Sequence, residues 1–129
     1  MTINHLFILV TASKLPALRT FYSSALQPLG YTEMIAVKNE KMELYGYGSD
    51  YPYLWLKPLP VDTNPVPTHV AIDAPDNAAV DKFHEAALRA GGIDNGLPGI
   101  RSAMSRQPYY ASFVTDPDGN NIEAVCVKK

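Results

Sequence analysis

Thr115-Asp-Pro-Asp-Gly-Asn-Asn-Ile-Glu123 closes the chain, and its reading decides the fold. The Asp116-Pro-Asp-Gly119 portion is turn chemistry, and the run that follows, Asn121 to Val127, has the β-rich composition of a strand. That strand carries an acid, Glu123, between Ile122 and Ala124. A carboxylate so placed must be desolvated unless it is paired or bound to a metal. Immediately upstream, Tyr109 to Thr115 reads as the strand across the turn. Before it, Asp94 to Gln107, with Gly96, Pro98 and Gly99, is expected to be a loop. Further back, Thr68 to Ala74 is a strand, Asp76 caps a helix that runs to about Ala90, and Gly91-Gly92 stops it. Only the second strand of this half, near Ile93 or Ile100, is poorly marked.

The first half follows the same plan. Ile3 to Val10 is β-rich; Ser13 and Pro16 open a helix that extends to about Leu26, and Pro28 and Gly30 end it. Leu15, Leu18, Phe21, Tyr22, Ala25 and Leu26 recur at three- and four-residue spacing and define one core-facing stripe. Three short strands follow, Tyr31 to Val37, Met42 to Tyr47 and Tyr51 to Lys57. The proline-rich segment 58–67 is an extended linker, because it cannot supply the donors of a central strand. The expected organisation is one α+β domain built from two βαβββ modules, residues 1–57 and 68–129.

Registering the helices on Phe21-Tyr22 and Phe83-His84, positions that differ by 62, also aligns Ala25-Leu26 with Ala87-Leu88 and Gly30 with Gly92. His5 and His69 differ by 64, a two-residue slip that the loop between strand and helix absorbs, so they occupy equivalent first strands, and matching the last strands sets Trp55 where the second half has Glu123. Side chains alternate along a strand, so His69 shares a face with Ala71 and Asp73, and His5 with Phe7 and Leu9. If the modules pack about a pseudo-twofold axis, His5, His69 and Glu123 converge. Two neutral imidazoles and a carboxylate suit a divalent cation and leave positions free for water or substrate.

The opening Asn4-His5, the segment Thr20-Phe-Tyr-Ser23 leading to Leu29-Gly-Tyr31, the strand Thr68-His-Val-Ala-Ile72 and the closing Thr115 to Glu123 stretch resemble the glyoxalase/bleomycin-resistance/extradiol-dioxygenase family, the vicinal oxygen chelate superfamily. The resemblance covers nearly the whole chain. It implies paired modules whose curved sheets form a cleft, with a divalent metal (zinc, nickel, manganese, cobalt or iron) held at His5, His69 and Glu123. It further implies an enzyme in which the cation chelates vicinal oxygens of a small-molecule substrate and stabilises an oxyanion, in lyase, isomerase, transferase or dioxygenase chemistry. Glu123 is the residue assigned to catalysis, as a charge-neutralising ligand. Trp55 departs from the pattern, since glyoxalase I-type members place a fourth ligand there and an indole N–H cannot bind a metal.

Trp55 and Tyr53 are instead candidates for the wall of the cleft, and Arg101, Tyr109 and Tyr110, around the long second-half loop, for substrate contacts. The alternative, from another class, is a metal-free module of the bleomycin-resistance type that sequesters a planar ligand among Trp55, Tyr53 and Tyr110. His84 is read as a partly exposed helix residue, and Asp73 as a solvated strand-end carboxylate.

Composition narrows the partners. With 11 basic and 13 acidic side chains, a formal charge of -2, the chain lacks the cationic surplus that phosphate backbones need, so no nucleic-acid partner is expected. A hydrophobic fraction of 47% is enough for a core. No run of about 18 apolar residues and no basic, apolar leader occurs, so neither membrane span nor secretion signal is expected. The single cysteine, Cys126, between Val125 and Val127, reads as a buried thiol in a reducing, cytoplasmic setting. Sheet edges, and the pairing of many relatives, are compatible with a homodimer.

Overall fold

The computed structural model describes residues 2–129. Its elements run β1 (Leu6–Val10), α1 (Leu15–Ala25), β2 (Thr32–Lys38), β3 (Glu43–Gly48), β4 (Pro52–Pro58), β5 (His69–Asp73), α2 (Asn77–Arg89), β6 (Ile93–Ile100), β7 (Tyr110–Thr115) and β8 (Asn121–Cys126). The order βαβββ occurs twice, as the sequence pattern requires. Each module forms its own four-stranded mixed sheet, ordered β1-β4-β3-β2 and β5-β8-β7-β6. In each, the first strand lies parallel to the last and the other pairings are antiparallel.

Ladder register makes the internal duplication concrete. Phe7 pairs with Trp55 in the first sheet, and Ala71 pairs with Glu123 in the second. The two-residue slip expected between strand and helix is therefore present, and Trp55 and Glu123 hold matching places.

Alternation decides which face of each sheet meets the helices. Ile8 and Val10 are fully buried while Phe7 and Leu9 are 44% and 45% exposed. Ile8, Val10, Leu54 and Leu56 join the α1 stripe of Leu18, Phe21, Tyr22 and Ala25 in one core, continuous with Ile72, Ile122, Val114 and the α2 residues Val80, Phe83 and Ala87. Helices α1 and α2 pack on each other between the modules. Both sheets consequently turn their other face outward.

Several expectations need correction. The first strand starts at Leu6, leaving His5 just ahead of it. The first half of the loop expected from Asp94 to Gln107 is strand β6, paired with β7 through two register breaks around Gly96; the irregular ladder, rich in glycine and proline, hid its period. His84 is buried, with its ring nitrogen 2.8 Å from Asp94, because the neighbouring strand supplies a polar partner that the helix pattern alone does not reveal. Cys126 is only partly buried.

Candidate functional site

The outward face of the second sheet holds the most organised polar cluster near the predicted ligands. The parallel pairing of β5 and β8 sets His69 beside Asn121 and Ala71 beside Glu123, so the imidazole and the carboxylate lie on adjacent strands of one face. His69 Nε2 is 3.2 Å from Glu123 Oε1, and His69 Nδ1 is 2.9 Å from the Asn121 carbonyl oxygen. A carbonyl only accepts, so Nδ1 carries the proton and donates, and Nε2 presents its lone pair towards the carboxylate in the neutral ring. Glu123 is 3% exposed despite its charge. Its other oxygen, Oε2, accepts from the Tyr109 hydroxyl. Burial and that hydrogen bond push the Tyr109 phenol up to about 12, which keeps it a donor. The donor that an acid in an apolar strand demands is thus supplied by Tyr109.

Beyond this pair the face continues through Phe113. Its ring stacks on His69 at 6.2 Å and 26°, and the Arg101 guanidinium lies 5.3 Å from the Phe113 centroid on the other side of the register. Phe113 was not singled out by the sequence reading. The period-two signal was available: Tyr109, Ala111 and Phe113 share one face and Tyr110 takes the other. Asn121, next to His69, holds the one buried side-chain polar atom without a hydrogen-bond partner among the described residues, its Oδ1.

Tyr110 does not belong to this cluster. Its hydroxyl donates to Asp81 of α2 at 2.6 Å, on the helix side of the sheet with Ser112, which bonds Val80. The one-residue offset from Tyr109 reverses its direction.

His5 does not join His69 and Glu123 within one chain either. It is exposed, with Nδ1 2.6 Å from Asn4 Oδ1 and its ring edge-on to Phe7 at 5.7 Å. It belongs to the first sheet, where Trp55 and Phe7 lie 6.0 Å apart. The Trp55 indole donates to the Pro52 carbonyl, and its ring covers Gly46, where an added Cβ would lie 3.0 Å from it. Tyr53 packs at tilted angles against Tyr31 and Tyr51 and donates to Asp50. His5, Leu6, Tyr53, Val70 and Asp73 line a cleft of about 620 Å³ between the edge strands β1 and β5. Asp73 is exposed and paired with Lys129.

Equivalent strands therefore place equivalent side chains on two separate sheets rather than around one point. Among the described residues no three His, Cys, Asp or Glu side chains are close enough to hold a metal ion. As a donor pair, His69 and Glu123 do fit a divalent cation. Ligand atoms about 2.0–2.2 Å from a shared ion sit roughly 3 Å from each other, and a ligating histidine commonly donates its second nitrogen to a carbonyl. Two donors are half of a coordination set.

With that geometry in view, the comparisons with known proteins agree on the architecture. No protein-family profile and no curated sequence matches the chain. Among solved structures it is similar to a glyoxalase/bleomycin resistance protein from Albidiferax ferrireducens T118, at 26% identity and a TM-score of 0.76, over 95% of this chain and 97% of that one. It also resembles a glyoxalase/bleomycin resistance protein/dioxygenase family enzyme from Burkholderia phytofirmans PsJN (16% identity, TM-score 0.64, 99% and 100% coverage). The E144Q glyoxalase I mutant from Zea mays matches at 24% identity and a TM-score of 0.70, with 95% of this chain aligned to 45% of the larger protein. The chain is a two-module α+β protein of the glyoxalase type. That architecture is shared with solved glyoxalase/bleomycin resistance/dioxygenase proteins and is consistent with the vicinal oxygen chelate superfamily.

Proposed function

We propose that this chain is one half of a two-chain, metal-dependent site of glyoxalase type acting on a small molecule with vicinal oxygens. The observation that carries the reading is the 3.2 Å separation of His69 Nε2 and Glu123 Oε1, with Nδ1 fixed on the Asn121 carbonyl. That arrangement leaves a lone pair and a carboxylate aimed at one point. His5 of a second copy is the third donor, brought opposite this pair when the outward face of one chain's first sheet covers the second sheet of the other. Exposed Phe7 and Leu9 on the first sheet give that face an apolar surface to bury. A bound divalent ion would supply Lewis-acid stabilisation of charge developing on a substrate oxygen. Tyr109 holds the Glu123 carboxylate in place, and the Asn121 carbonyl fixes the His69 ring through its Nδ1–H.

The experiment is metal analysis of protein purified without chelator, combined with its mass in solution by light scattering. About one equivalent of divalent metal per chain in a dimer, lost in His5→Ala, His69→Ala and Glu123→Ala, is the expected result. A metal-free protein whose melting temperature is unmoved by added zinc, nickel, manganese, cobalt or iron overturns it. The second reading, metal-free capture of a planar ligand, is favoured by the aromatic floor of Phe7 and Trp55. The Trp55 indole N–H is already bonded, so only the ring face is free for stacking.

A further inference from the structure

The Arg101 guanidinium is a fixed cation without an acidic partner among the described residues. The chain holds it deliberately in that state. Its Nη2 donates to the Leu97 carbonyl at 2.6 Å and its Nη1 to the Gly99 carbonyl at 3.0 Å, which sets the plane of the head group above Phe113. The backbone of Arg101 is anchored as well, its N–H bonded to the Tyr109 carbonyl and its carbonyl to the Gln107 side chain. Absent side chains make the room. A Cβ at Gly96 would lie 2.8 Å from the Phe113 ring and 3.1 Å from Arg101 Nη2, and one at Gly99 would lie 3.4 Å from Nη1.

Every acid between residues 93 and 123 is committed elsewhere. Asp94 bonds His84 and the Gly96 amide, Asp116 bonds Tyr22 and Asn120, Asp118 bonds Thr11, and Glu123 accepts from Tyr109 and lies 3.2 Å from His69. Two of the five guanidinium N–H groups are spent on carbonyls, and three remain for something that is not part of this chain. A single aromatic ring, Phe113, separates that cation from His69. A planar guanidinium fork matches a carboxylate, and stacking on an aromatic face keeps it oriented without neutralising it. The only other cation in this stretch is Arg106, exposed in the loop, so the charge available suits a monoanion better than a phosphate dianion.

We infer that Arg101, seated on Phe113, is a specificity-determining residue that selects small organic molecules bearing a carboxylate and anchors that group one ring's width from the His69–Glu123 pair. The inference deepens the function proposed above and rests on its placing the substrate on this face.

Binding of benzoate and of benzamide, its uncharged isostere, to chelator-treated full-length protein tests it by isothermal titration calorimetry. Benzoate should bind at least about tenfold more tightly, the scale of a charge-assisted hydrogen bond. Arg101→Gln should abolish the preference, Arg101→Lys should keep part of it, and Gly96→Ala, which keeps the charge but crowds its seat, should reduce it. Lys82→Gln, which removes an exposed cation of α2, should retain the preference, and the chelator treatment keeps this result separate from the metal analysis. Equal affinity for the two probes, no saturable benzoate binding, or a preference that survives in a folded Arg101→Gln protein would overturn the inference. A failed metal analysis alongside an Arg101-dependent benzoate preference would sink only the metal-dependent reading.

Discussion

The Tyr22 hydroxyl donates to Asp116 at 2.5 Å, joining α1 of the first module to the turn before β8 of the second. Both residues are buried, and Asp116 also accepts from the backbone of Asp118 and Asn120 and from the Asn120 side chain. Desolvation, reinforced by the Asp116 charge, holds the Tyr22 phenol well above its ordinary pKa, so it remains a donor. Beside it Asp118 accepts from the amide and hydroxyl of Thr11. The turn therefore clamps the two modules together.

Tyr22→Phe should lower stability by about 1.5–3 kcal/mol, the range for a lost hydrogen bond to a charged group. Asp116→Ala should cost more, because four donors lose their acceptor at once. Urea denaturation checks both, with an unchanged slope expected for Tyr22→Phe.

The same junction makes Gly92 intolerant of a side chain. A Cβ there would lie 2.4 Å from Val114 Cγ1 and 2.7 Å from Phe21 Cε2, joining atoms of both modules in one clash. Gly30, its partner in the sequence register, is different: it has φ +86° and open space around it, and the residue with the corresponding left-handed backbone is Gly91, at φ +101°. Gly92→Ala is expected to destabilise by about 1–3 kcal/mol through overpacking. Gly30→Ala should cost about 1 kcal/mol through backbone strain alone. Thermal melts of the two variants should rank them in that order.

These contrasts show what the sequence could convey. Hydrophobic spacing in α1 and the strand runs were enough for the βαβββ order of the first module, because periodicity reports which side of an element meets the core, and the second module followed by analogy with β6 poorly marked. The proximity of His69 and Glu123 was expected from pseudo-twofold packing and the family resemblance, whereas the parallel pairing of β5 with β8 that produces it has no signal in residue spacing. The separation of His5 was not legible. Alternation fixes the face a side chain takes on its own sheet but says nothing of whether two sheets face each other. Nor could spacing reveal the seat of Arg101, which depends on side chains missing at Gly96 and Gly99 in a strand with a broken register.

An acid-sensitive contact lies on the first module. Glu33 accepts from Arg19 Nη2 at 2.7 Å and from the Tyr47 hydroxyl at 2.9 Å. The Arg19 hydrogen bond, helped by Tyr47, holds the Glu33 carboxyl below its ordinary pKa. A depressed native pKa contributes stability that is present above the unfolded-state value and is lost as pH falls through the native one. Wild-type protein should therefore lose stability on acidification below about pH 4.5, the ordinary range of a glutamate. Glu33→Gln should be less stable near neutrality and show a shallower acid limb in urea midpoints measured across that interval.

Tyr109 tests whether Glu123 is positioned or merely buried. Its hydroxyl occupies Glu123 Oε2 and leaves Oε1 turned to His69, so the carboxylate has one free direction rather than several. Removing the hydroxyl leaves a desolvated oxygen without its donor, and the group is then free to rotate or to draw in water. Outer-shell partners of this kind typically change metal affinity by about 10–100-fold. On the metal-dependent function proposed above, Tyr109→Phe should weaken zinc binding by that factor in competition with a chelating dye while the mass in solution stays that of the wild type. If Glu123 served only as a packed polar residue, Tyr109→Phe would lower the melting temperature and leave the measured zinc affinity where it was.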